Sequence, residues 1–362
     1  TMRFRIYSII FSFLVLCQGF TQGSLEVVAK LDTLPGNVTV DQRGNLYVTL
    51  MPNFNPEPHL IRITPAGDIM PYPNERWSQG TGKDYIYLDS PVGLQVDRNG
   101  ILWVLDPGVR SGLTQKIVAW DTVRNQLHRV IFLPEPILSP DSFINDLAVD
   151  LDHNAIYISD SGAKAIVVVD LQTGLARSVL REHPTTVEEK VDLVIDGKPI
   201  QGKNPDGSLV TIYIPINPIA ADALNEYVYW GPLTGHSLYR IPTRYLRDFN
   251  LDDTALAAQI ERYSDKPHCD GIGIDRAGNI YITDLANNAL GVIKTDRTYQ
   301  QLVRDDTILR WPDSISYGPD GYFYTLAHQI HRTPGMNAGV DESSKPFYVV
   351  RFKGLAPGVI GR

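Results

Sequence analysis

One short pattern occurs six times along this chain, and it restricts the possible folds more than any other property of the sequence. An apolar strand closes on Asp, a turn carrying Gly or Asn follows, and an aromatic-rich strand comes next. The copies are NVTVDQRGNLYVTL from Asn37, VGLQVDRNGILWVLD from Val92, NDLAVDLDHNAIYISD from Asn145, NPIAADALNEYVYWG from Asn217, DGIGIDRAGNIYITD from Asp270 and DSISYGPDGYFYTLA from Asp313. The closing residues are Asp41, Asp97, Asp150, Asp222, Asp275 and, in a degenerate last copy, Gly318; successive spacings are 56, 53, 72, 53 and 43 residues. A third strand follows most copies: LIRIT from Leu60, KIVAWD from Lys116, AIVVVD from Ala165, SLYRI from Ser237, LGVIK from Leu290 and FYVVRF from Phe347. Each repeat therefore reads as one four-stranded antiparallel sheet, and the chain as an all-β, six-bladed β-propeller. A two-sheet sandwich would also supply many strands, but not this even repetition.

The long 72-residue spacing marks an insertion from about Glu182 to Ile216. Its Asp196-Gly197 and Asp206-Gly207 pairs are turn signals, so an extra hairpin across one face is expected. A second excursion, Thr243 to Ile260, links copies four and five. With 29 Gly, 25 Pro and 18 Tyr, the composition suits short strands and tight turns. A net charge of −8 gives no basic footprint for nucleic acid.

Residues 1–23 read as a secretory signal peptide, with Arg3 and Arg5 before an apolar run from Ile9 to Cys17 and cleavage between Phe20 and Ser24. The run is too short for a membrane-spanning helix. The propeller then occupies 24–362, secreted or periplasmic, with no membrane association after cleavage and monomeric. Cys17 is expected to leave with the signal, the alternative being a lipidated cysteine that bulky Leu16 fits poorly, and Cys269 stays as a lone small buried side chain. Asn37-Val38-Thr39 is a glycosylation sequon.

In a propeller the first strand of each blade lines the channel. Five positions before each closing residue stand Gly36, Val92, Asn145, Asn217, Asp270 and Asp313, which the repeat register sends to one channel mouth. Four of these six are Asn or Asp. Side-chain oxygens converging on an axis suit a hard cation or a polar ligand; the same residues also serve simply to satisfy backbone groups at strand starts. The second strands end at Leu50, Asp106, Asp160, Gly231, Asp284 and Ala327 near the same face, which adds Asp160 and Asp284 as ligand-binding candidates. His236, His268 and His328 fall on the upper loops; His268 and His328 are candidate general bases and His236 a ligand contact. Asp97, Asp150, Asp222 and Asp275 precede tight turns and read as turn formers.

At SPDSFINDLAVD (from Ser139), AIYISDSGAKAIVVVD (from Ala155), CDGIGIDRAGNIYITDLANNAL (from Cys269), LWVLDPG (from Leu102) and GPLTGHSLYRIPT (from Gly231), the chain resembles the yellow/major royal jelly protein family, especially its microbial members. The likeness runs from about Leu25 to Phe352. It implies a six-bladed propeller that binds small aromatic amines at the channel mouth or takes part in dopachrome conversion. More distantly the chain is similar to gluconolactonase/regucalcin propellers. That likeness implies a metal held by Asn217 and Asp270, Asp270 as catalytic base, and Asn145 and Asp146 on the substrate side. Where those proteins carry a metal-binding Glu in the first blade, this chain has Gly36, and Asp313 is the substitute.

Three functions follow as expectations. The first is an enzyme acting on a cyclic small molecule, by lactone hydrolysis or isomerase-type proton transfer, assisted by Ca²⁺ or another divalent cation. The second is a secreted protein that binds small aromatic or amine ligands without turnover. The third is an interaction scaffold.

Overall fold

The computed structural model describes residues 24–79 and 86–362; the signal-peptide reading of 1–23, Cys17 included, lies outside the described residues. Six four-stranded antiparallel sheets form a closed ring. From the axis outwards, blade one is Pro35–Val40, Leu46–Leu50, Leu60–Ile63 and Ile69–Pro71. The inner strands of blades two to six are Leu94–Val96, Ile144–Asp150, Ile216–Ala221, Ile272–Ile274 and Pro312–Tyr317. The six-bladed propeller expected from the repeats is therefore the fold.

Middle strands such as Ala155–Asp160 and Lys116–Asp121 are buried along their whole length, because each blade is covered by a neighbour on both faces. That is why they read as unbroken apolar runs, whereas the outer strand Gln126–Phe132 is mostly exposed. Apolar side chains fill the gap between every pair of adjacent blades: Trp77 and Trp120 between one and two, Tyr281 and Phe323 between five and six, Val48 and Leu326 between six and one.

The repeated Asp does turn work. Asp41, Asp97, Asp150 and Asp275 accept backbone N–H groups of the following turn and also bind an aromatic donor in the next strand: Tyr47 (3.0 Å), Trp103 (2.8 Å), Tyr157 (3.1 Å) and Tyr281 (2.8 Å). In blade six, where Gly318 stands, Asp320 takes over and accepts from Tyr324 at 2.7 Å. Each bond ties a tight turn to the blade interior.

The sixth blade is finished by the start of the described chain. Leu25–Leu31 pairs antiparallel with Phe347–Phe352 as its outermost strand. Arg351 fixes the register by bonding Glu26 (2.6 Å) and Asp320 (2.9 Å). At the lower end of the channel, residues 353–362 fold under the ring. The Arg362 guanidinium donates to the carbonyls of Asp222 (3.0 Å) and Val149 (2.6 Å), and Thr39 Oγ1 donates to the Gly361 carbonyl (2.9 Å). Blades one, three and four are thereby joined across the axis, leaving a channel cavity of about 50 Å³ above the segment.

The insertion forms two small hairpins, Val194–Ile195 with Lys198–Pro199 and Gln201–Lys203 with Leu209–Thr211. Asp196 (φ 51°) and Gly197 (φ 76°) make the first turn, as the Asp-Gly pair suggests. Leu193, Ile195 and Ile200 reach across the mouth face to pack on Leu233, Leu285 and Trp311. Among the described residues, no helix is long and apolar enough to cross a membrane.

Removing residues 24–31 strips the last strand from blade six and exposes an unpaired edge along Phe347–Phe352. We expect that truncated protein to elute from size exclusion as aggregate and to lack a cooperative melt. A soluble, cooperatively melting product would show that ring closure does not depend on this strand.

Candidate functional site

The mouth opposite residues 353–362 opens into a cavity of about 230 Å³. Its polar floor is Asn37, Asn145, Asp146, Asn217, Asp270 and Asp313; its walls include Met51, Phe143, Ile214, Trp311 and Met336. The four Asn and Asp residues of the repeat register thus share one cavity. The cause is local. In blades one, three, four and six the pairing shifts register at the mouth end of the inner strand, between Pro35 and Val38, Ile144 and Asp146, Ile216 and Ile219, and Asp313 and Ser316. Bulges of this kind re-aim side chains.

Two glycines let the strands come this close. A Cβ on Gly93 would lie 2.3 Å from the Asn145 carbonyl oxygen, and one on Gly271 would lie 2.3 Å from the Ser314 nitrogen. Neither position tolerates a side chain without displacing a neighbouring blade. Gly271 in particular allows Asp270 to stand beside Asp313.

The polar side chains form a connected network. Asn145 Nδ2 donates to Asn217 Oδ1 (2.6 Å), and the Asn217 side chain hydrogen-bonds Asp270. Trp311 Nε1 donates to Asp270 Oδ2 (2.6 Å). Asn37 Nδ2 donates to Asp146 Oδ1 (2.7 Å), and Asp313 Oδ1 accepts the Ser314 N–H (2.6 Å). His328, with no exposed surface, puts Nε2 3.5 Å from Asp313 Oδ2. Ligand atoms of Asp270, Asp313 and His328 all lie within 4.8 Å of one another, a buried group that could hold a metal ion.

Among the described residues no cationic side chain lines this cavity, and the electrostatics follow. Burial, then the Asp313 charge, pushes the Asp270 carboxyl up to about 8. Burial also raises Asp313 to about 7. Asp146 rises well above the usual carboxylate range through burial and its two acidic neighbours. Burial lowers the His328 imidazole to about 4, so it is neutral near pH 7. Its Nδ1 accepts the Ile330 N–H (3.3 Å), which leaves the ring proton on Nε2, facing the carboxylates.

Other residues singled out in the sequence do not line the cavity. Asp160 is fully buried and accepts the Phe143 and Ala163 N–H groups at 2.8 and 2.9 Å, fixing the loops instead of meeting a ligand. Asp284 accepts from Asn287 (2.9 Å) and Tyr299 (2.7 Å) in the interior of blade five. His268 lies outside the cavity wall, where its Nδ1 accepts the Gly235 N–H (3.0 Å) and burial lowers it to about 4. His236 is exposed and stands against His268, with ring centroids 4.7 Å apart. Cys269 is a fully buried free thiol, pushed up to about 11 by burial.

Sequence reasoning missed Asn37 and Trp311 as site residues. Asn37 entered only as a sequon, but it is 8% exposed with its amide held by Asp146, so in the folded chain that nitrogen faces the channel. It occupies the same register as Asp146, four residues before the closing Asp, and extending the register by one position would have found it. Trp311 lies just before an inner strand, where the repeat gives no signal.

The site holds more buried carboxylate than its hydrogen bonds compensate, which has a measurable consequence. A carboxyl whose folded pKa is raised destabilises the fold as it ionises, so the contribution of these carboxyls falls from about pH 4 to about pH 8 and is flat above, while the lowered imidazoles of His268 and His328 act in the opposite sense between about pH 4 and 6.5. We expect the melting temperature, measured in chelator, to drop between about pH 6.5 and about pH 8. In Asp270→Asn and Asp313→Asn the drop should be smaller, leaving both variants a few degrees more stable than wild type at pH 8. Equal slopes in all three proteins would show that these carboxyls are not strained in the fold.

Comparison with known proteins agrees with this architecture. The chain is 24% identical over 326 residues to Protein yellow of Drosophila madeirensis, covering 82% of this chain and 52% of that protein. It thus spans about half the length of the curated relatives it matches. Among solved structures, a calcium-binding regucalcin from Agrobacterium tumefaciens superposes with a TM-score of 0.53 at 14% identity, covering 93% of this chain and 97% of that one. Virginiamycin B lyase from Staphylococcus aureus gives 0.52 at 13% identity, covering 92% and 99%. At such identities these structures establish the fold alone. Residues 89–356 match the model of the family described as Major royal jelly protein, and with its six-bladed ring and repeat motifs the chain belongs to that family.

Proposed function

We propose that the channel mouth is a catalytic site for a compact cyclic small molecule, with lactone opening or isomerase-type proton transfer as its chemistry. The observation that carries this reading is the convergence of Asp146, Asp270 and Asp313 on one small cavity, with the His328 Nε2–H beside them. Ligand pockets commonly span ~300–1,000 Å³, so about 230 Å³ favours a single-ring substrate. Asp270, raised towards neutrality, is suited to hold and return a proton near pH 7. His328 supports the proton inventory from Nε2, and Met51, Phe143 and Trp311 give the cavity an apolar wall against which a ring could rest.

The donor set also fits a divalent cation. Because the His328 Nδ1 is engaged and its Nε2 carries the proton, the available ligands of that group are the carboxylate oxygens of Asp270 and Asp313, which suits a hard ion such as Ca²⁺ more than an imidazole-seeking metal; Asn217 Oδ1, which accepts from Asn145, would add its second lone pair. When bound, such an ion would polarise a substrate carbonyl. The regucalcin neighbour is a calcium-binding protein. The same proposal places the protein outside the cytoplasm as a monomer acting on a small molecule, without nucleic-acid or membrane partners.

A binding role without turnover is the second reading. Aromatic side chains beside three acidic groups suit an amine, whose charge would replace the missing counter-ion.

Calorimetry with Ca²⁺, Mn²⁺ and Zn²⁺, and turnover assays on a panel of small lactones and enolisable ring ketones, separate these readings. We expect Ca²⁺ to bind, and Asp270→Ala to lower turnover by roughly 10²-fold or more without loss of fold. Tight binding of aromatic amines with no turnover and no ion would favour the second reading and overturn the first.

A further inference from the structure

Trp311 is fully buried beneath the insertion, in contact with the cluster that includes Ile195, Ile200 and Leu233. Its ring stacks on His331, with centroids 5.8 Å apart and planes at 15°, and lies 6.2 Å from the ring of His328. Its backbone is unusual. Trp311 has φ 57° and Ser314 has φ 53°, so two non-glycine residues occupy the left-handed region on either side of Asp313. For a bulky residue this conformation is an outlier, held only where the surroundings over-determine it.

The outcome of that conformation is visible at the site. Trp311 Nε1 pins one oxygen of Asp270, a blade-five residue, at 2.6 Å. The Ser314 N–H pins one oxygen of Asp313 at 2.6 Å. Ser314 Oγ also accepts the Val38 N–H at 3.0 Å, which anchors the segment to blade one. One four-residue stretch of blade six therefore fixes two carboxylates from neighbouring blades. A simple packing role would need the indole's volume but not its N–H aimed at a carboxylate.

We infer that Trp311 is a positioning residue, whose indole N–H sets the orientation of Asp270 towards Asp313 and thereby the spacing of the carboxylate oxygens that meet the ion or substrate. Its importance to function rests on the channel-mouth reading above; the bond itself does not. The His331 stack and the insertion hold the indole in place from behind, so the roof of the cavity and its floor are mechanically one unit.

The five tryptophan indole N–H groups give separate signals in ¹⁵N-indole-labelled protein, and Trp311→Phe assigns the relevant one. We expect the Trp311 signal to lie downfield and, of the five, to move most in Asp270→Asn. Trp311→Phe keeps an aromatic ring over His331 but lacks the donor. It should weaken Ca²⁺ binding, or lower kcat on whichever substrate is turned over, by about tenfold or more, as loss of a hydrogen bond to a charged group does. Its melting temperature should fall by only a few degrees. An indole signal unmoved by Asp270→Asn, or wild-type ion affinity and kcat in Trp311→Phe, would overturn the inference. If wild type binds no ion and turns nothing over, the functional reading falls, while the indole shift still decides whether Trp311 holds Asp270.

Discussion

The pairing of Leu25–Leu31 with Phe347–Phe352 is the contact on which the rest of the molecule depends, because it converts a row of sheets into a ring. An open row would leave blades one and six without a partner and the cluster around Val48, Leu326 and Val349 half exposed. Only a closed ring points six inner strands at a common axis. Only a common axis can gather Asn37, Asp146, Asn217, Asp270 and Asp313, the first and last of which lie 276 positions apart in the sequence, into one cavity. Residues 353–362 complete the constraint from below: by bonding carbonyls of blades three and four, Arg362 closes the lower end and leaves the upper mouth as the wide opening of the channel.

Such a scaffold can hold an arrangement that a softer one would reject. Three carboxyl groups in a cavity that no cationic side chain lines among the described residues oppose folding whenever they are charged, and the raised values at Asp270 and Asp313 express that opposition. The carboxyls are moreover held by directional bonds from Asn37, Asn217 and Trp311, which supply donors but no compensating charge. That distinction matters chemically. A lysine in the same place would satisfy Asp270 and make it a poor base and a poor ligand, whereas neutral donors fix its direction and leave its affinity for a proton or cation high.

Much of this was legible in the sequence because the repeat is written in residues with strong local preferences. The turn Asp followed by Gly or Asn, and the aromatic strand after it, recur because each blade reuses one hydrogen-bonded turn, as Asp41 with Tyr47 and Asp275 with Tyr281 illustrate. The channel-facing register of Asn145, Asn217, Asp270 and Asp313 followed from the same alignment. The remainder was hidden for two reasons. Register counts positions on a regular strand, whereas the bulges at the mouth admit an additional position, and that is how Asn37 joined the site beside Asp146. Histidines near a mouth in sequence also look equivalent: His268 and His328 both lie on upper loops, yet one faces the Gly235 backbone and the other faces Asp313. Loop direction, unlike strand alternation, is not written in a two-residue period.

The insertion explains why the cavity is small as well as polar. Without it the mouth of a six-bladed ring is an open funnel. Here Ile214 walls the cavity, while Ile195 and Ile200 press on Trp311 from above. The hairpin of Gln201–Lys203 is itself tied to the blade-six loop, since Gln201 N–H donates to the Met336 carbonyl (3.0 Å) and Ala338 N–H to the Gln201 carbonyl (2.7 Å). Met336 also lines the cavity. Roof, wall and carboxylate support are therefore parts of one packed assembly running from the insertion through Trp311 to Asp270. Changes in insertion length or sequence would then alter both the size of the cavity and the geometry of its acidic groups.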